Sequence, residues 1–269
     1  MAVLAEPTAT PAARGNPVLR ILGKVSPSAW SLLVILVLWE LSVRIGNVPA
    51  YMLPAPSQIF QEFIDYGHRL LPNAGVTLFE VLLGFTLSVL ISIPLAVLIV
   101  YSRPIERMIY PLIVSSQTVP MVAVAPLLLT WFGYGMTPKI VIVILQTFFP
   151  IVVNTVMGLN SASREMIYLA KSMGASNWQV FWKFRLPQAL PSIFAGLKLA
   201  TAMSVIGAIV AEFVGANAGL GYVILVAGAS FNITRQFAAI ILIILIGVVF
   251  FAVLEQVEKL AMPWRRIAR

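Results

Sequence analysis

The side chains able to do chemistry are few, and most of them sit inside long apolar runs. Gln117 and Thr118, then Gln146, Thr147 and Asn154, then Ser204 and Glu212 are the polar groups of three such runs. In a membrane, polar groups on protein-facing helix faces mark a path for a solute. Each also has a plainer use, an interhelical hydrogen bond worth on the order of 0.6 kcal/mol. As a set they fit a path of hydrogen-bonding groups. Thr147 and Asn154, seven apart, share a helix face to within about 20°. Glu212 could bind a cation or gate the path, or it could cap a short helix in the following loop, since helix N-termini favour carboxylates.

Other chemistries are missing their residues. There is no cysteine and a single histidine, His68. That leaves no thiolate nucleophile, no disulfide framework and no polyhistidine metal site within one chain. No Gly-x-x-x-x-Gly-Lys-Ser/Thr phosphate loop occurs. An intramembrane enzyme would need a histidine partner, paired carboxylates or a metal set, and none is present.

The elements that must position these residues follow from composition. Of 269 residues, 60% are hydrophobic and 10% charged, and mean hydropathy is +0.95. Soluble domains run at roughly 45–50% and 25%, because they keep a polar skin. This excludes an ordinary cytosolic enzyme and a disordered chain, and leaves an all-α polytopic membrane protein. No Asp, Glu, Lys or Arg occurs in 81–102, 108–138, 140–163 or 236–254, and each stretch can hold a spanning helix. A fifth span is expected over 192–214, with Lys198 snorkelling. A shorter first span over 29–45 carries Glu40, which can pair with Arg44 one turn on. Gly215, Gly219, Gly221 and Gly228 interrupt 213–234, so it reads as a loop with a short helix at the membrane surface. The expected count is six. Pro94, Pro120, Pro126 and Pro150 lie inside spans and permit kinks. Glu80, at the outer end of span two, is expected to face water, and His68 to be solvated in an external loop.

Charge sets the orientation. Fourteen of the 18 Lys and Arg residues fall on one side. They are Arg14, Arg20 and Lys24; Arg103 and Arg107; Arg164, Lys171, Lys183, Arg185 and Lys198; and Lys259, Arg265, Arg266 and Arg269. Arg44, Arg69, Lys139 and Arg235 fall on the other. The positive-inside rule puts both termini in the cytoplasm. The net charge of +8 then reflects basic loops against anionic lipid, not nucleic acid. The expected organisation is a flexible cytosolic tail over 1–28, a transmembrane domain over 29–260 and a basic cytosolic tail over 261–269. No strong internal repeat is visible, which argues against a secondary carrier built from duplicated halves.

The longest cytoplasmic connection, 160–191, has the grammar of two short helices. Ser163 is an N-cap with Glu165 in the first turn. Gly174 can end that helix in a left-handed conformation. Ser176 and Gln179 form a capping box for the second helix. Pro187 is expected to stop it, and Pro191 to open the next span. Trp178, Phe181, Trp182 and Arg185 share helical spacings. They would either dock another protein or lie in the interface as an aromatic belt.

This segment resembles the EAA loop of permease subunits of binding-protein-dependent ABC importers. That motif runs Glu-Ala-Ala, three residues, Gly, nine residues, Ile, one residue, Leu-Pro. Gly174 holds the Gly, followed by Ala175 and Ser176; Leu186-Pro187 ends the motif; and Ala170 matches the second Ala. Phe184 replaces the Ile, and Tyr168-Leu169 stand where Glu-Ala would be, with Glu165 the nearest acid. Such degeneracy resembles the nitrate/sulfonate/taurine branch. So do Val119-Pro120 through Trp131-Phe132-Gly133-Tyr134-Gly135, and Glu212 through Gly219-Leu220-Gly221-Tyr222.

The resemblance implies a six-span type I importer permease that works by alternating access, as a homodimer or heterodimer. It implies two cytosolic ABC ATPase subunits carrying ATP and Mg, with no cofactor on this chain, and an extracytoplasmic solute-binding protein. The loop's first helix would be the coupling helix. The solute would be a sulfonate-, taurine- or nitrate-like anion, or a neutral pyrimidine or vitamin precursor. The rival from another class is an ion- or proton-coupled secondary carrier, for which Glu212 alone supplies too little.

Overall fold

A computed structural model describes residues 27–266 of the chain. The remainder of both tails, with Arg14, Arg20, Lys24 and Arg269, lies outside the described residues. Those described are helical throughout their ordered elements. The first five helices are α1 (Pro27–Ile45), α2 (Pro56–Tyr101), α3 (Arg103–Ser116), α4 (Met121–Phe132) and α5 (Met136–Asn160). Two short helices follow, α6 (Arg164–Ser172) and α7 (Asn177–Val180), then a π turn (Phe181–Arg185). α8 (Leu186–Gly215), α9 (Leu220–Ala229) and α10 (Ile233–Ala261) complete the set, with a 3-10 turn at Pro263–Arg266.

The bundle is built on α2, α5 and α8. α2 and α5 run parallel in fixed register. Lys139 Nζ lies 2.7 Å from Glu80 Oε1, and one turn further Gly84 faces Val143, so close that an added Cβ would meet Val143 Cγ1 at 2.5 Å. Gly84, Ser88, Ser92 and Ala96, four residues apart, form a buried stripe of small side chains, which lets two backbones approach closely without a large apolar side chain between them. α8 runs antiparallel to α5. Gly158 meets Ala189 and Ser192, Gly196 meets Asn154 and Pro150, and Gly207 meets Val143 and Gln146. α10 packs along α8 and α2, with Lys198 paired to Glu258 and Phe85 edge-on to Phe250 at 4.9 Å. Lys198 therefore has a protein partner as well as any route to water.

Parallel neighbours require the chain to return to its starting side between them. α3 and α4 do this as a broken pair meeting at 104°. The stretch expected to be one span over 108–138 is therefore two helices. Pro120 supplies no N–H and disfavours helical geometry at Val119, and Gln117 and Thr118 fall in the break. Among the described residues four uninterrupted helical stretches are long and apolar enough to cross a membrane, and the bent pair makes a fifth. α1, expected to be the first span, is 19 residues long and exposed along most of its length, but is not among these five stretches.

Three further expectations need correction. Pro187 does not stop the second loop helix, because α7, the π turn and α8 form one continuous stretch, Asn177–Gly215. The turn closes with Leu186 N–H donating to Phe181 O. This wider turn absorbs the bond that Pro187 cannot donate, so span five begins before 192 and Pro191 lies inside α8. Glu80 does not face water: it is fully buried and paired with Lys139. The connection before span two, expected to be an external loop, is mostly helix, since α2 has 46 residues. At 1.5 Å per residue that is about 69 Å, over twice the roughly 30 Å apolar layer. A helix of that length extends past such a layer, and His68, in its first half, is exposed.

Candidate functional site

At one end of the bundle, where Tyr101, Leu159 and Met262 lie, residues 160–185 form a built structure. Ser163 Oγ accepts from Met166 N–H at 3.3 Å and donates to Glu165 Oε2 at 2.6 Å. That hydroxyl is the main reason the Glu165 carboxyl titrates below its ordinary range. α6 ends in a Schellman motif: Gly174 N–H donates to Lys171 O at 2.9 Å and Ala175 N–H to Ala170 O at 3.0 Å. Gly174 has φ +85°, a region closed to most L residues. Space is not the constraint there, since nothing lies within 4 Å of an added Cβ. Ser176 then opens α7 with a full capping box: its Oγ accepts from Gln179 N–H at 3.2 Å, and Gln179 Oε1 accepts from Ser176 N–H at 2.8 Å.

This double cap turns one face of α6 away from the bundle. Tyr168 is 69% exposed, Leu169 63% and Met173 81%, while Ala170 is buried underneath. The second helix divides its aromatic residues. Phe181 meets Tyr101 edge-on at 6.1 Å, and Arg185 sits 5.3 Å above the same ring. Both are committed to anchoring the loop on the end of α2. Trp178 and Trp182 pack on each other and on Phe181 but stay largely exposed. Phe184, Leu186 and Pro187 are half-buried at the junction with α8.

The suggested path residues are not drawn into one cavity. Thr147 donates to Val143 O at 2.8 Å, Asn154 to Pro150 O at 2.8 Å and Ser204 to Thr201 O at 2.7 Å. These are bonds back to the residue's own helix. Gln146, beside Met203 Sδ at 3.6 Å, lies with Asn154 in the α5–α8 seam. Gln117 and Thr118 are exposed at the break between α3 and α4.

Glu212 does cap the following helix, from outside it. At the opposite end of the bundle from α6, the three leading N–H groups of α9 each find a side chain. Gly219 N–H donates to Asn73 Oδ1 at 2.7 Å, Leu220 N–H to Thr77 Oγ1 at 2.8 Å, and Gly221 N–H to Glu212 Oε2 at 2.5 Å. Thr77 Oγ1 in turn donates to Glu212 Oε1 at 2.7 Å. Gly219, at φ +115°, and Gly221 leave no room for a Cβ beside the carboxylate. Lys139 and Glu80 complete this buried polar node. Sequence reading missed Asn73, Thr77 and Glu80, although their spacing of four and three residues puts them on one helix face. That signal appears only once 56–80 is read as helix. Among the described residues no group of three His, Cys, Asp or Glu side chains could hold a metal ion.

Comparison with known proteins bears on what this architecture does. Residues 88–261 match the family model described as binding-protein-dependent transport system inner membrane component. The formylaminopyrimidine transport permease protein ThiX of Halalkalibacterium halodurans is 40% identical over 235 residues, 87% of this chain and 94% of the relative. The putative aliphatic sulfonates transport permease protein SsuC of Bacillus subtilis is 30% identical over 235 residues, 86% of this chain and 85% of the relative. Among solved structures, a chain of the MetNI methionine ABC transporter in an inward-facing conformation aligns at TM-score 0.62 and 18% identity. The alignment covers 71% of this chain and 94% of that one.

Proposed function

Because this chain belongs to the family of binding-protein-dependent transport system inner membrane components, and is the permease subunit of an ABC importer and not an enzyme, we propose that residues 160–191 are its joint with the ATPase. The observation that carries this is α6 itself: a helix fixed by Ser163 at one end and Gly174 at the other, presenting Tyr168, Leu169 and Met173 to solvent. An exposed apolar and aromatic cluster of this kind suits a partner's groove. α7 is continuous through the π turn with α8, which reaches the far end of the bundle at Glu212, and α6 is joined to α7 by the doubly capped turn at Gly174. A displacement of α6 therefore has a rigid route across the membrane.

Around this joint the assembly is two permeases, as a homodimer or heterodimer, on two cytosolic ATPases that bind ATP and Mg. An extracytoplasmic solute-binding protein delivers the solute on the opposite side. Both termini and residues 160–191 face the cytoplasm. The tails over 1–28 and 261–269 are cytosolic appendages of a transmembrane domain over 29–260. Gln117 and Thr118, exposed at the α3–α4 break, are the path candidates best placed to meet a solute; Gln146, Thr147, Asn154 and Ser204 act mainly in helix packing. The solute is a small organic molecule in the range carried by the relatives, from a formylaminopyrimidine to an aliphatic sulfonate. Family membership sets aside the secondary-carrier reading.

The test is Gly174→Val. A β-branched residue at φ +85° costs about 1–3 kcal/mol locally or displaces α6 by relieving the strain. The spans keep their own packing, so the variant reaches the membrane. It is expected to co-purify poorly with the ATPase or to hydrolyse ATP without uptake. Wild-type co-purification and uptake together would remove the coupling role.

A further inference from the structure

At the end of the bundle opposite α6, a cavity of about 420 Å³ opens between the first half of α2, the 216–219 turn and α9. This is within the range of small-molecule sites. Its lining includes Arg69, Arg235, Asn217 and Tyr222, over an apolar floor that includes Val76 and Val223. Among the described residues no carboxylate lines it.

The polar groups are not equivalent. Arg235 is held in place: its Nε donates to Glu62 at 2.7 Å and its guanidinium lies 3.6 Å above the Tyr66 ring. Its charge is balanced by Glu62. Arg69 is exposed, and its guanidinium has no ion pair or hydrogen bond among the described residues. Only its backbone carbonyl is used, by Asn73 Nδ2 at 2.7 Å. The Asn217 amide and the Tyr222 hydroxyl are likewise without partners there. The cavity thus offers one uncompensated positive charge, two neutral hydrogen-bonding groups and a wall of Tyr222 and aliphatic carbons. Asn73 also ties it to the polar node, since its Oδ1 accepts from Gly219 N–H at 2.7 Å. That bond fixes the turn carrying Asn217 against α2.

We propose that this cavity is a substrate subsite on the permease itself, taking a small organic monoanion whose oxyanion head meets Arg69 and Asn217 and whose flat apolar body lies against Tyr222, Val76 and Val223. A guanidinium offers the paired donors such a head group prefers. The inference rests on the importer reading for the route by which a solute arrives, because the cavity lies on the side where a binding protein would release it.

The experiment uses the full-length permease with its ATPase in phosphatidylcholine nanodiscs, without nucleotide or binding protein. Benzenesulfonate, its neutral isostere benzenesulfonamide and benzyltrimethylammonium are titrated by saturation-transfer NMR. The sulfonate should bind about tenfold tighter than the sulfonamide, a difference of one charge-assisted contact, and the cation should not bind. Arg69→Gln, at an exposed position, should fold normally and abolish the preference, whereas Arg69→Lys should keep part of it. Equal binding of sulfonate and sulfonamide, or a preference that survives Arg69→Gln, would overturn the proposal. Displacement of the sulfonate by added phosphatidylglycerol would overturn it too, by making the cavity a lipid headgroup site. In a parallel pull-down with the binding protein added, loss of its capture in Arg69→Gln alongside unchanged sulfonate binding would overturn it as well, by making the cavity a protein contact instead. Co-purification of the ATPase in the same preparation checks the importer reading separately.

Discussion

Glu212 accepts hydrogen bonds at both carboxylate oxygens, from Thr77 and from Gly221. Glu212→Gln keeps one acceptor and gains a donor that the Thr77 hydroxyl can accept by reversing. Uptake in this variant should be close to wild type. Glu212→Ala leaves the Gly221 N–H buried without a partner, at about 1–3 kcal/mol. Its melting temperature in detergent should fall clearly below that of the Gln variant, and uptake should fall with it. Loss of uptake in Glu212→Gln at normal assembly would show that the ionised charge is needed. The Glu80–Lys139 pair gives a second prediction. Breaking a buried pair by removing one partner costs about 3–5 kcal/mol, whereas replacing both can be neutral. Glu80→Gln and Lys139→Met should each lower the melting temperature, and the double variant should recover most of the loss. Additive losses in that cycle would mean the two side chains are not coupled. Glu212's capping role was legible from its place before a glycine-rich turn, but Glu80's burial was not. A carboxylate at the edge of an apolar run reads as exposed until its partner, far away at Lys139, is placed by the fold.

At the scale of elements, local rules worked best where local chemistry decides the structure. The Ser163 cap, the Gly174 reversal and the Ser176–Gln179 box all depend on residues within one or two turns, and all three were readable. The π turn was not, because an isolated Leu186-Pro187 signals a stop. Only the continuing packing of 186–215 against α5 makes it favourable to widen a turn instead. The broken α3–α4 pair was half legible: Pro120 marked a kink, but the 104° bend follows from the need to link two parallel helices. Topology belongs to this scale. In this cysteine-free chain, Ser172→Cys should resist an impermeant thiol reagent in intact cells and react in inverted vesicles. Labelling from outside would reverse the orientation of α6 and of both termini.

For the whole molecule, composition and charge gaps located the crossings, because a membrane forces long apolar runs whatever the tertiary fold. They could not say which helices touch. The glycine contacts at 84, 158, 196 and 207 that order α2, α5 and α8 are fixed by pairing across the bundle. The same limit explains the suggested path: Thr147, Asn154 and Ser204 have the right polarity, yet each bonds its own helix. The central claim is that α6 seats on the ATPase and passes its motion through α8. The most direct measurement places a photo-crosslinking amino acid at Leu169, with Ile244 on the exposed face of α10 as the control, in membranes holding the permease and its ATPase. The account predicts a permease–ATPase adduct from position 169 and none from 244. Absence of that adduct in membranes that still take up solute would contradict it.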